Sequence, residues 1–253
     1  MGSTEDWAGY HNPLGLRSLT RRMTILWRQF LNHRFERRSP ISVMSEAALN
    51  CIYRHEVILP PRHLLMQPGT QTIDGLFLLV SLAKELQARV LFEIGTFTGL
   101  TAWCFARNLP DAEVNTLDIP SGESPLLPLE ESDLHRAGGV PMAYDRLQQA
   151  DGVRQHWGDS ATFDFSSWRE GCDLVYIDGA HSEQYVESDT SNALQMLSSS
   201  GAVVWDDYWR LSPGVVTVLH QRRGDLELFR VPGTRLVVHL APDARRRLFA
   251  GVQ

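Results

Sequence analysis

The spacing of hydrophobic and polar positions becomes regular at about residue 73. From Ile73 to Leu86 apolar side chains recur at helical spacing, which predicts an amphipathic helix. Arg89–Ile94 reads as a buried strand, and Thr101–Asn108 as a helix ended by Pro110. Glu113–Ile119 is a second strand. Strand patterns return at Val153–Trp157, Asp173–Ile177 and Ala202–Trp205. Between the last two, a helix from about Ser182 to Leu197 carries a core stripe of Val186, Ala193, Leu194 and Leu197. A helix near Val215–Gln221 precedes two late strands, Leu226–Val231 and Arg235–Leu240, joined by the turn Pro232-Gly233. Strands alternating with helices imply an α/β fold with a doubly wound, mostly parallel sheet, and the closing strand pair implies an antiparallel edge.

Upstream the pattern differs. Residues 1–65 read as an N-terminal helical extension, and 66–253 as the main domain. The extension holds a basic amphipathic stretch, Thr20–Arg38, then a helical stretch from Ser42 to about His55, closed by Pro60-Pro61. The basic stretch interleaves six arginines with Ile25, Leu26, Trp27, Phe30 and Leu31. Packing of its apolar side on the domain or on a second subunit is the expectation, so a homo-oligomer through these helices is a candidate. Between Pro120 and about Tyr144 lies a loop with four prolines and three glycines, a length typical of lids and binding loops.

Composition narrows the function classes. At 253 residues with 43% hydrophobic and 21% charged, the chain is an ordinary globular protein. It has no run of 18 apolar residues, so no membrane span is expected. A net charge of -6 gives no drive toward nucleic acid. Cys51, Cys104 and Cys172 are too far apart for a metal knuckle. Reduced, buried thiols in a cytoplasmic protein are the reading that follows.

Two constellations carry chemistry. The first is Val90-Leu91-Phe92-Glu93-Ile94-Gly95, an apolar strand that ends in an acid and a glycine, with Gly99 four residues on and a helix after it. Such a turn lets backbone approach a ligand beyond the carboxyl ends of the strands. Phe97 stands where a dinucleotide-binding turn has its second glycine, which disfavours a pyrophosphate and with it an NAD-dependent oxidoreductase. S-adenosylmethionine has no phosphate, and its sulfonium and amino groups suit a carboxylate such as Glu93. Asp118 ends the second strand about 25 residues after Glu93, placed to accept from ribose hydroxyls. Gly158-Asp159-Ser160 follows the third strand, where an acid can accept from an adenine amino group.

The second constellation is Asp178 at the end of one buried strand and Asp206-Asp207 at the end of the next. Clustered carboxylates repel one another unless protonated or bound to a cation, and an oxygen-rich set suits Mg²⁺, Ca²⁺ or Mn²⁺. His181 opens a helix at the same edge, where a neutral imidazole can accept a proton from a hydroxyl; Asp207 is an alternative base.

Glu93-x-Gly95-x-x-x-Gly99-x-Thr101, Asp118, Gly158-Asp159-Ser160, Ile177-Asp178-Gly179-Ala180-His181 and Trp205-Asp206-Asp207-Tyr208 together resemble the metal-dependent class I O-methyltransferases. The likeness is to the catechol and caffeoyl-CoA type, and more closely to the sugar O-methyltransferases of macrolide and aminocoumarin biosynthesis. It spans about residues 65–240. The resemblance implies a Rossmann-like methyltransferase fold with a seven-stranded sheet. It assigns S-adenosylmethionine to Glu93, Gly95, Thr96, Gly99, Thr101, Asp118, Asp159, Ser160 and Asp178, and a divalent metal, Mg²⁺ first, to Asp178, Asp206 and Asp207. His181 takes the position of a catalytic base beside Asp178 and Asp207. Asp207 replaces the Asn of the catechol type, which favours the sugar-type branch. The expected reaction is methylation of a hydroxyl on a small-molecule natural product or sugar. The competing readings are a metal-independent N- or carboxyl-methyltransferase and a non-catalytic methyltransferase-like binding protein.

Overall fold

The structure is a computed structural model that describes residues 35–65, 69–120, 122–130, 133 and 152–250. Most of the basic stretch Thr20–Arg38 and most of the Pro120–Tyr144 loop lie outside these. The chain divides into two units, Met1–Ser39 and Pro40–Gln253. The second holds every element named below.

Its elements in chain order are β1 (Ser42–Val43), α1 (Glu46–Ile52), α2 (Arg62–Leu65), α3 (Ile73–Leu86), β2 (Val90–Ile94), α4 (Leu100–Asn108), β3 (Glu113–Asp118), β4 (Val153–Trp157), β5 (Cys172–Ile177), α5 (Glu183–Met196), β6 (Leu197–Trp205), α6 (Pro213–Arg222), β7 (Leu228–Arg230), β8 (Val237–Leu240) and α7 (Pro242–Phe249). One eight-stranded sheet has the order β1-β7-β8-β6-β5-β2-β3-β4. All neighbouring pairs are parallel except those of β8, which runs antiparallel to both β6 and β7. The doubly wound α/β sheet expected from the alternation is therefore present. The reversed strand is threaded between two others, and the two-residue β1 adds an eighth strand to the expected seven.

Local chemistry explains the boundaries. Thr72 caps α3 by accepting from the Gly75 amide at 3.1 Å, and Gln87 ends the helix in the left-handed region at φ 56°. α3 is buried almost all round, from Leu76 to Leu86. It is sandwiched between the sheet and neighbouring helices, so its apolar face is broader than a surface helix needs. Ser45 caps α1 through the Ala48 amide. The helical pattern expected from Ser42 thus begins at Glu46, because Ser42 and Val43 pair with Phe229 and Arg230 of β7. Ala48 and Ile52 of α1 lie in the same core as α3 and β6, so residues 40–65 belong to the second unit.

α7 was not expected. Pro242 at its first position, with Ala244 and Leu248 one turn apart and both buried, is the pattern that carries it. Between β4 and β5 there is one short 3-10 turn, Ser166–Trp168, in place of a crossover helix. An aromatic cluster fills that place, with Phe92 4.9 Å from Trp168 and 5.5 Å from Phe165 between ring centroids. No helix among the described residues is long and apolar enough to cross a membrane.

Candidate active site

Strand register sets the geometry of the site. Ile94 pairs with Leu117 on one side and Ile177 on the other, and Ile177 pairs with Trp205. Asp118 pairs with Trp157. Asp118 at the end of β3 and the residues that follow the other strands, Gly95, Gly158, Asp178 and Asp206, therefore line one carboxyl edge of the sheet. Ligands bind at that edge in doubly wound sheets.

At the turn, Gly95 has φ 100°, and a Cβ there would stand 2.1 Å from the Asp178 carbonyl oxygen. Only glycine fits, because β2 and β5 leave the sheet against each other at this point. Phe97 is also left-handed, at φ 45°, and Gly99 opens α4 at φ 68° with no side-chain cap, which leaves the first amides of that helix for a ligand. The acids nearby are engaged. Asp118 accepts from the amides of Phe97 and Ile119, each at 2.8 Å. Glu93 is buried beneath the turn and accepts from the Thr116 hydroxyl at 2.6 Å. Burial pushes the Glu93 carboxyl up to about 8, with Asp118 adding to the rise and the Thr116 hydrogen bond opposing it. Thr96 hydrogen-bonds Thr116 at 2.7 Å, and Thr101 is buried in the first turn of α4. Asp159 accepts from the Leu126 amide and the Tyr185 hydroxyl at 2.7 Å and from the Ala161 amide at 2.9 Å. It ties the stretch after β3 to α5. Below it, burial raises the Asp189 carboxyl to about 7, with the charge of Asp159 adding to the rise.

Asp178, Asp206 and Asp207 come together as read from the sequence, with one oxygen of each within 4.8 Å of the others. Burial, then Asp206 and Asp207, raises the Asp178 carboxyl well above its ordinary range. The Tyr176 hydroxyl donates to Asp178 at 2.9 Å, and the Gln71 amide donates to Asp206 at 2.7 Å and to the Tyr176 oxygen at 2.8 Å. Arg235 reaches Asp207 at 2.7 Å and Asp206 at 3.2 Å. Asp206 Oδ1 is buried without a hydrogen-bond partner among the described residues. An orphaned buried oxygen in an all-carboxylate set fits a hard divalent cation.

His181 joins this cluster. Its Nε2 lies 2.6 Å from Asp207, its Nδ1 hydrogen-bonds Asp133, and its backbone amide donates to Asp133 at 2.9 Å. Burial works to lower the imidazole, but the hydrogen bonds and charges of Asp133 and Asp207 outweigh it and push it up to about 10.

Gln71, Tyr176, Asp133 and Arg235 were missed as site residues. Tyr176 lies within the most telling segment, two residues before Asp178, so strand alternation places the two on one face. The other three sit outside any motif.

Residues 92–208 match the sequence model of a family described as a methyltransferase domain. Over that segment the chain has the sequence pattern of a methyltransferase domain. Solved methyltransferases share its fold. The O-methyltransferase TomG of Streptomyces achromogenes, involved in tomaymycin synthesis and solved with S-adenosylmethionine, is 21% identical, with 85% of this chain and 98% of that one covered at a TM-score of 0.50. The methyltransferase PaMTH1 of Podospora anserina, bound to S-adenosylhomocysteine, is 14% identical, with 95% and 99% covered at 0.52. Cofactor-bound Rv0187 of MTB is 22% identical, with 77% and 88% covered at 0.50. No curated protein sequence matches the chain. The matched segment runs from Phe92 to Tyr208 and so contains every site residue read from the sequence, but neither Gln71 nor Arg235.

Proposed function

We propose that this methyltransferase transfers a methyl group from S-adenosylmethionine to a hydroxyl of a small molecule, a sugar or other hydroxylated natural product, in the cytoplasm. The observation that carries the proposal is the position of Gly95 directly against the Asp178 backbone. It puts the cofactor turn and the carboxylate cluster side by side, as methyl donor and acceptor oxygen must be for in-line transfer. S-adenosylmethionine supplies an electrophilic sulfonium methyl. The turn from Gly95 to Gly99, with Thr96 and Thr101, would receive its methionine part, with Asp118 toward the ribose and Asp159-Ser160 toward the adenine. Glu93 braces the turn from below through Thr116.

Asp178, Asp206 and Asp207 would hold a divalent cation, Mg²⁺ before Ca²⁺ or Mn²⁺. When bound, the cation supplies positive charge that polarises an acceptor hydroxyl and lowers its proton affinity along with that of His181. Gln71 and Tyr176 fix the carboxylates. Asp133 fixes the His181 ring, whose Nε2 accepts the hydroxyl proton in its neutral form.

A second reading rests on Arg235. The guanidinium already pairs with Asp206 and Asp207, which suits a metal-free N- or carboxyl-methyltransferase with a purely structural acid cluster. Calorimetry with S-adenosylmethionine and turnover against a panel of hydroxylated acceptors, with and without excess EDTA, separate the two. The proposal expects EDTA to remove turnover and Asp178→Asn to lower kcat by about 10²–10³ while cofactor affinity holds. Undiminished turnover in EDTA would rule out the cation and leave the acid cluster purely structural.

A further inference from the structure

Arg235 enters the acid cluster from the turn between β7 and β8, more than 50 residues beyond His181 in the chain. Its guanidinium lies 2.7 Å from Asp207 Oδ1 and 3.2 Å from Asp206 Oδ2. The carboxylates are 2% and 6% exposed, whereas the Arg235 side chain is 26% exposed. The acids are thus held in place, and the cation at their mouth keeps a path to solvent. Trp209 provides a seat there, with the guanidinium carbon 5.5 Å from its ring centroid.

We propose that Arg235 is the resident counter-cation of the Asp178–Asp206–Asp207 cluster and must be displaced from Asp206 and Asp207 for a divalent cation to bind. The inference rests on the cation reading of the previous section and adds to it a competitor within the chain. A divalent cation of this class takes oxygen ligands at about 2.0–2.6 Å. It would use the same two carboxylates that Arg235 now neutralises. Two cations on one pair of carboxylates repel each other, so each weakens the hold of the other, and the coupling is reciprocal. Arg235 differs from Gln71, which also touches Asp206 but is neutral and compatible with a neighbouring cation. Arg235 therefore offsets part of the cluster's negative charge before any metal arrives. Without a counter-charge the three clustered acids, two of them buried, would have to take up protons instead.

The test is titration of the full-length protein with Mn²⁺ alone by calorimetry and by electron paramagnetic resonance, on wild type, Arg235→Gln and Arg235→Lys. The expected result is Mn²⁺ affinity about tenfold or more tighter in Arg235→Gln, with Arg235→Lys between the two. Wild type gives a second reading that needs no Arg235 variant. Saturation with Mg²⁺ should change the Trp209 fluorescence as the guanidinium leaves its ring, and the change should vanish in Trp209→Phe. Equal or weaker Mn²⁺ binding in Arg235→Gln would overturn the displacement while leaving the metal site standing. A wild type that binds Mg²⁺ with no Trp209 signal would overturn it in the same way. Absence of binding in every form would overturn the cation reading itself, and the displacement with it.

Discussion

Replacing Gly95 by alanine tests the feature on which the geometry of the site depends most. A Cβ at residue 95 would stand 2.1 Å from the Asp178 carbonyl oxygen, 2.6 Å from its carbon and 2.9 Å from the Gly179 nitrogen. All three are backbone atoms, so no side chain can swing away. The backbone at 95 also has φ 100°, which L residues avoid. Strain of this kind costs about 1–3 kcal/mol, and forcing an extra methyl into a packed site costs about 1–3 kcal/mol more. Taking about 4 kcal/mol as the sum, the melting temperature should fall by roughly 8–16 °C in a protein of this size. The relief available is to part the ends of β2 and β5, which also separates the cofactor turn from Asp178. Calorimetric affinity for S-adenosylmethionine should therefore collapse in the same variant. Gly224→Ala is the control, because a Cβ there meets nothing within 4 Å and the backbone is unstrained. It should melt within 1–2 °C of wild type, as surface changes of about 0.5 kcal/mol or less do. The reasoning is refuted if Gly95→Ala melts within 2 °C of wild type and binds the cofactor normally.

The Glu93 carboxyl, raised to about 8 by burial, makes stability depend on pH. Between about 4.5 and 8 the folded state binds the proton more tightly than the unfolded chain, so this contribution is full at low pH and lost as pH rises through 8. Urea unfolding at pH 5 and pH 8 should show wild type losing a few kcal/mol relative to Glu93→Gln, and parallel losses in the two proteins would exclude it. Asp133→Ala removes the Nδ1 and backbone partner of His181 and should lower kcat by about 10–100-fold with little change in the Kd for cofactor, as loss of an orienting partner does. Steady-state kinetics within twofold of wild type would mean that the ring is held by Asp207 alone.

Much of the site was legible because its residues follow strand ends, where period and chemistry coincide. Asp178 and Asp206-Asp207 could be paired from the sequence since parallel strands with a helical crossover must place their carboxyl ends together. The same logic placed Asp118 and Asp159 at the correct edge. It did not reveal that Asp118 turns onto the Phe97 and Ile119 amides, or that Asp159 holds Tyr185 and Leu126. Those partners depend on how loops close. The two-residue β1 and the short crossover covered by Phe92, Phe163, Phe165 and Trp168 were hidden for a similar reason. Neither leaves a periodic signature of its own.

Local spacing of apolar residues, turn glycines and strand-end acids was enough to determine the α/β class, the sheet edge of the candidate site and the carboxylate triad, because these depend on periods of two and 3.6 residues and on backbone sterics. Only the tertiary structure decided what surrounds the triad. β8 reverses and inserts between β6 and β7, and this brings Arg235 beside Asp206 and Asp207, while Gln71 and Asp133 arrive from far away in the chain. Long-range contacts of that kind are set by strand order and side-chain packing, which no local pattern encodes.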